Sequence, residues 1–380
     1  MSDIRRVSFG SGSTRVGRSA ALLATAVGIG RFVYTPILPL MIAQAGLSAE
    51  ASALVATANY AGYLLGACLT FLLPAVARSP GAMRSCLLVV VATLGLMAAT
   101  TDLPLWILLR FLAGAATAII FIYTVNSLHA GVRDIPGFTT GWAFAGVGAG
   151  IVLSGCGVFI VKAVGAWQEA WLVAAVLAVV LAGLGWSVPP ARHVRTPAPA
   201  VKAKGPRWRF PLLVMSYSLE GVGYIIAGTF IVAAAGETVP PGLVGIVWIV
   251  VGSAALPSVM LWNRFAARSS SSTAYVCALL SQAVGMLVLS LVGGLVVATA
   301  ASILFGGTFV AISTLALALG AEGESPRSVA ILTAGYSVGQ IGGPIFVAPM
   351  LSGGYQGALL VGAAIVLLAT VVALPLIRRL

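Results

Sequence analysis

The sequence predicts an all-α integral membrane protein, with twelve transmembrane helices in two parallel six-helix halves. Three observations predict it. Hydrophobic residues make up 60% of the 380 positions and charged residues only 8%, with a mean hydropathy of +1.07. A soluble domain carries about 25% charged residues, so this chain cannot cover a water-facing surface. Long apolar runs recur twelve times, and short motifs of the first six reappear in the last six.

The runs fall at 19–44, 52–77, 84–100, 103–128, 136–162, 166–189, 210–236, 240–265, 273–292, 294–320, 327–350 and 355–377. Most reach the roughly 20 residues that cross a hydrocarbon core of about 30 Å. They are numbered spans 1 to 12 below. The net charge of +12 suits a nucleic-acid partner only until the charges are placed. From a cytoplasmic N-terminus, 18 Lys and Arg fall in inside loops and only Lys162 outside, with Arg31 and Arg110 left within the spans. A positive-inside bias of that size puts both termini in the cytoplasm, with 44–51 and 237–240 outside. The basic charge is topological, and no nucleic-acid partner is expected. Basic residues ahead of the first run imitate a signal peptide. That run is too long, holds Arg31, Pro36 and Pro39, and lacks a small-residue cleavage site, so it is read as span 1.

Cys68, Cys86, Cys156 and Cys277 lie in spans without C-x-x-C spacing, and the only histidines are His129 and His193. Neither a metal site nor a disulfide framework is expected, and the cysteines read as packing residues. No G-x-x-x-x-G-K-[ST] loop occurs, which argues against ATP-driven transport by this chain. No cofactor is expected.

The stretch "PPARHVRTPAPAVKAKGPRWR" (189–209) is rich in proline, alanine and basic residues. It reads as a solvated cytoplasmic linker against anionic lipid, dividing an N-terminal six-helix bundle (1–188) from a C-terminal one (210–380). The halves resemble each other. "GIGRF" (28–32) pairs with "GVGYI" (221–225) at an offset of 193, as do "LAGAATA" (112–118) with "FGGTFVA" (305–311) and Gly146 and Gly150 with Gly339 and Gly343. "WQEAWLVAA" (167–175) pairs with "YQGALLVGA" (355–363) at 188. Six is even, so the halves share an orientation and the repeat axis runs along the membrane normal.

This organisation resembles the major facilitator superfamily over essentially the whole chain. "RFLAGAATA" (110–118) is similar to its R-x-x-x-G-x-x-x-A signature, with Arg110, Gly114 and Ala118 in place. "GWAFAGVGAG" (141–150) resembles the glycine-rich antiporter stretch without its proline, and "GYSVGQIGGP" (335–344) is its counterpart with Pro344. The loop "PAVARSPGAMR" (74–84) keeps Gly81 and Arg84 of the gating motif but has Arg78 at the aspartate position. "GRFVYTPILPLM" (30–41) looks like the opening signature of the bacterial YbfB/YjiJ-like branch. The resemblance implies the major facilitator fold and a secondary active transporter, not an enzyme, in a bacterial cytoplasmic (inner) membrane. Its expected partners are a small-molecule substrate, protons and membrane lipid, and it is expected to be a monomer.

Arg31 and Glu220 then become the informative residues, because a charge in a span is costly and usually serves an ion or substrate path. Each lies about a dozen residues from the cytoplasmic edge, ~15–19 Å at the helical rise, near the midplane. The motif alignment sets Arg31 opposite Tyr224 and puts Glu220 one turn away on the same face. Arg31 is expected to meet Glu220, a substrate anion, or each in turn. The plainer reading is a buried pair that locks the halves together. Arg110, ~12 Å from the outer edge of span 4 by rise, either couples protons or holds helix geometry.

Polar and aromatic groups at similar depth are candidate cavity-lining residues: Tyr34, Asn59, Tyr63, Tyr123, Asn126, Trp142, Tyr217, Tyr224, Tyr336 and Gln340. Such a set suits an anionic, zwitterionic or amphipathic small molecule; plain core packing is the alternative for each. The glycine clusters read as packing or sliding surfaces. A non-transporting membrane sensor is the rival function. "HAGVRD" (129–134) also fits the two-residue acyltransferase pattern H-x-x-x-x-D, a weak signal with no second cluster beside it.

Overall fold

The computed structural model describes residues 2–131, 140–191, 208–321 and 328–377. Every regular element in it is helical. Twelve helices are long and apolar enough to cross a membrane: Ser13–Ala45, Ala49–Leu72, Pro80–Met97, Leu103–Leu128, Gly141–Lys162, Trp167–Gly185, Arg209–Gly236, Val244–Arg268, Ser271–Leu291, Leu295–Ala321, Ser328–Gly353 and Tyr355–Ile377. These are spans 1 to 12 as the sequence orders them. Most of the 189–209 linker, Asp134 and the side chain of His129 lie outside the described residues.

Local chemistry sets the boundaries. Span 2 starts at Ser48, whose hydroxyl accepts from the Ala51 amide at 3.1 Å; Ser79 ahead of Pro80 and Ser270 ahead of Ser271 cap spans 3 and 9 in the same way. Span 1 closes on Gly46 in the left-handed conformation, φ 66°. Span 2 stops short of the expected residue 77, because Pro74 has no amide with which to continue the helix. Span 8 begins later than expected, beyond Pro240 and Pro241, for the same reason.

Spans 11 and 12 end in short 3-10 turns, Ala348–Gly353 and Leu374–Ile377, and two other spans are interrupted within their length. In span 1, Ala24–Arg31 is π-helical and is followed by a short turn before helix Tyr34–Ala45. Span 10 is broken between helices Leu295–Gly306 and Phe309–Ala321. Their counterparts by repeat, spans 7 and 4, run unbroken over Arg209–Gly236 and Leu103–Gly131. Spans 1 and 7 are the most enclosed, whereas Leu72, Ile160, Val176, Val296 and Phe346 stand exposed on the outer spans. An apolar outside with backbone polarity satisfied inside helices is what lipid requires.

Small residues bring helix axes together. A Cβ on Gly114 of span 4 would lie 2.0 Å from the Asn59 carbonyl of span 2, and one on Gly62 would lie 1.9 Å from the Phe111 carbonyl. Gly146 and Gly150 of span 5 abut the backbone of Ala20 and Ala24 in span 1, and Gly339 and Gly343 of span 11 abut Ser218 and Val222 in span 7. The two packings are alike, but the contacted residues of spans 1 and 7 stand 198 apart while the glycines stand 193 apart. One offset therefore cannot serve both helix pairs.

Candidate functional site

The π-helical turns in span 1 build the centre of the molecule. A wider turn shifts backbone carbonyls off the helical ladder, which is why such turns recur at functional sites. Gly28 sits where a Cβ would come 2.7 Å from Gly150 Cα and the Val147 carbonyl. Span 4 receives the displaced backbone. Thr117 Oγ1 donates to the Ala26 carbonyl at 3.2 Å, and Arg110 donates from Nη1 to Gly30 at 2.9 Å and from Nη2 to Arg31 at 2.8 Å. Of the two roles open to Arg110, the geometry supplies the structural one: its guanidinium is a backbone clamp, backed by the rings of Tyr34 and Trp171.

Arg31 behaves differently. Its side chain is 6% exposed and its guanidinium lies over Tyr63 at 4.6 Å, Tyr60 at 5.2 Å and Phe32 at 5.4 Å from the ring centroids. Nε and Nη2 are buried with no hydrogen-bond partner. Neither oxygen of Glu220 pairs with Arg31: Oε1 accepts from Gln282 and Oε2 has no partner. The expected meeting of Arg31 with Glu220 is therefore not made in this conformation.

Glu220 is turned into its own half instead. It is fully buried, and Oε1 accepts from Gln282 Nε2 of span 9 at 3.3 Å. Gln282 Oε1 lies 3.2 Å from Thr308 Oγ1, at the break in span 10; the single hydroxyl proton there is also within reach of the Leu304 carbonyl at 2.6 Å. Glu220 Oε2 has no partner. Two buried ionisable groups on facing halves thus sit in separate niches, each with unused hydrogen-bonding capacity.

Between them stands a sheaf of rings. Tyr217 stacks on Tyr336 at 4.3 Å, Tyr336 on Tyr224 at 5.6 Å and Tyr224 on Phe309 at 6.0 Å, with interplanar angles of 11°, 11° and 6°. Phe305 lies 16° from Tyr224. From the other half, Phe32 meets Phe309 edge-on at 5.7 Å and Trp248 at 6.3 Å. Gln340 Nε2 donates to the Tyr224 hydroxyl at 3.3 Å and leaves its own Oε1 unpartnered.

Of the ten expected lining residues, Tyr63, Tyr217, Tyr224, Tyr336 and Gln340 belong to this centre. The others do not. Tyr34 donates to the Ser52 carbonyl and stacks on Trp171. Asn59 donates to the Arg110 carbonyl, and Tyr123 donates to the Val188 carbonyl at 2.7 Å, tying down the end of span 6. Asn126 is half-buried and Trp142 is exposed at the surface. The sequence reading missed Tyr60, Phe32, Phe305, Phe309, Gln282 and Thr308. Only the amide of Gln282, a rare polar group within an apolar run, offered a signal.

The halves are latched at the end away from the chain termini. Thr35 donates to the Gly228 carbonyl, Tyr60 shares a 2.9 Å hydrogen bond with Thr229, and Lys162 donates to the Pro241 carbonyl at 3.0 Å. Toward the termini the hydrogen bonds of Arg15 with Ser127, Arg84 with Trp186 and Arg209 with Ser272 each stay within one half.

A family model described as "uncharacterised MFS-type transporter YbfB" matches residues 23–374. The chain belongs to this family of major facilitator transporters. It is similar in fold to the crystal structure of the nucleoside transporter NupG, with a TM-score of 0.70 at 12% identity, covering 97% of this chain and 100% of that one. An aspartate-to-alanine mutant of NupG gives 0.68 at 13%, covering 96% and 100%. No curated protein matches. The family and the fold make this a transporter and not an enzyme.

Proposed function

We propose that this transporter moves a small organic anion, or a zwitterion or amphipathic compound presenting an anionic group, together with protons, by alternating access across the bacterial inner membrane. Arg31 receives the anionic group, and Glu220 carries the proton. The observation that carries this reading is the buried, unpartnered edge of the Arg31 guanidinium between the two halves. Buried polar groups are almost always satisfied, and an uncompensated buried charge is strongly unfavourable. Arg110 also has an unpartnered Nε, but its two Nη atoms are spent on backbone carbonyls, whereas Arg31 has neither of its buried nitrogens engaged and is left to receive a partner. NupG is a nucleoside transporter. Nucleosides are neutral, and a neutral substrate would leave this charge uncompensated, so an anion fits better.

The coupling follows from charge in a low-dielectric core. With Arg31 positive and Glu220 negative, the empty centre is neutral in sum. An arriving anion makes it negative, and a second bare carboxylate beside the first raises the energy of the moving assembly. A proton on Glu220 restores neutrality, so anion and proton travel together. With both termini in the cytoplasm, the Thr35–Gly228 and Tyr60–Thr229 bonds lie on the external side, and the described conformation is closed outward. Opening outward requires breaking them.

The test is proton-driven flux in proteoliposomes with an imposed pH gradient, using a substrate found by ligand-induced thermal stabilisation, which grows as RT ln(1 + [L]/Kd). Glu220→Gln should lose gradient-driven accumulation while keeping binding and exchange. Accumulation equal to wild type would show Glu220 to be structural and place coupling elsewhere.

A further inference from the structure

The chemical class of the substrate can be narrowed from Arg31 and the rings around it, an inference that rests on the reading that Arg31 receives the transported molecule. Rings of Tyr63 and Tyr60 lie against the guanidinium, and its fully buried nitrogens, Nε and Nη2, have no hydrogen-bond partner. These two nitrogens form the side-on edge of an arginine. Their N–H groups point the same way in one plane, a fork that takes both oxygens of a carboxylate. One positive charge also balances one negative charge. Arg110, the other buried guanidinium, is committed to two backbone carbonyls, so it offers no second cation for a doubly charged phosphate ester.

The rings constrain the rest of the molecule. Phe32, which lies against the Arg31 guanidinium, meets Phe309 edge-on at 5.7 Å, and Phe309 is stacked with Tyr224. Tyr224 is nearly coplanar in orientation with Tyr336 and Phe309, at 11° and 6°. A flat body bound beside Arg31 joins this stack by exchanging ring-on-ring contacts between the side chains for contacts with itself. Offset stacking rewards a conjugated ligand over a saturated one of the same size, by about 2- to 10-fold for each ring engaged. We propose that the site selects planar organic monocarboxylates, with the carboxylate on the Nε–Nη2 edge of Arg31 and the conjugated body on the faces of Tyr224 and Tyr336.

The experiment measures equilibrium binding to the purified full-length protein with four probes: naphthoate, its saturated counterpart decalin carboxylate, neutral naphthamide and naphthyl phosphate. Naphthoate should bind about tenfold tighter than decalin carboxylate, by the stacking preference of one to two rings, and tighter than naphthamide and naphthyl phosphate. Tyr224→Leu should bring naphthoate and decalin carboxylate within twofold of each other, and Arg31→Lys should weaken naphthoate while leaving naphthamide unchanged. Equal affinity of wild type for naphthoate and decalin carboxylate, tighter binding of the amide or the phosphate, or no binding of any carboxylate overturns the inference. The wild-type comparison stands even if a variant fails to fold. The transport reading fails separately: selective binding of naphthoate with no proton-driven flux would sink transport and leave the site assignment intact. Flux of saturated and planar carboxylates alike would do the reverse.

Discussion

Replacing Arg31 by methionine should stabilise the protein while abolishing transport. Methionine matches the length of the arginine stem and is unbranched, so it can follow the same path among the rings. The substitution removes two buried N–H donors that have no partner, each costing roughly 1–3 kcal/mol when orphaned, a figure that already contains its desolvation. Against this, the cation–π contacts to Tyr63, Tyr60 and Phe32 are lost, at ~0.5–2 kcal/mol each. Sulfur–aromatic contacts return ~0.3–1.5 kcal/mol apiece. On those principles the balance favours methionine by about 1–3 kcal/mol. With the per-residue unfolding entropy of globular proteins, that is an apparent melting point higher by roughly 1–4 °C. The assay is a thermal melt of purified wild type and variant in the same detergent, paired with flux in proteoliposomes. A variant that melts lower than wild type, or fails to accumulate in the membrane, would refute the reasoning and make Arg31 a structural residue.

The opposite outcome is expected at Arg110, where methionine strips two charge-assisted hydrogen bonds from the Gly30 and Arg31 carbonyls. At ~1.5–3 kcal/mol each, the same melt should show a loss of about 3–6 kcal/mol. Gly114→Ala should impair folding, since its Cβ would stand 2.0 Å from the Asn59 carbonyl, whereas Gly357→Ala, with nothing within 4 Å, should be silent; yield of folded protein after detergent extraction separates them. Thr35→Val combined with Tyr60→Phe removes both central bonds of the latch. Cysteine probes beside Gly228 should then react faster with an impermeant thiol reagent added from the far side, and an unchanged rate would show that the latch does not hold that end closed.

The twelve spans were legible because bilayer thickness imposes a length on every apolar run, and the loop charges follow one rule. Register was legible in part: the motif alignment sets Arg31 opposite Tyr224, and Phe32 beside Arg31 reaches Phe309, which stacks with Tyr224. The direction taken by a side chain was not. Glu220 occupies the expected face, yet its carboxylate finds the Gln282 amide in its own half, a choice fixed by a partner 62 residues away. The π-helical turns at Ala24–Arg31 were equally hidden, because they depend on Arg110 and Thr117 donating to the displaced carbonyls. Phe305 and Phe309 carry no signal in an already apolar run. The glycine stretches suggested one offset for both halves, and packing shifted it because Gly pairs slide against a neighbouring backbone without steric penalty.

The latch at the far end also sets a resting population. Its three hydrogen bonds, Thr35–Gly228, Tyr60–Thr229 and Lys162–Pro241, contribute ~0.5–1.5 kcal/mol net each. Together they weight the closed arrangement by about 10- to 2,000-fold over one in which they are broken and nothing replaces them. A ligand approaching from that end meets a competent molecule only in the remaining fraction, and its apparent dissociation constant is raised by the same factor. A ligand approaching from the termini end carries no such handicap. The two membrane faces of this protein would then differ in apparent affinity with no difference in the site itself, and weakening the latch would bring the two affinities together.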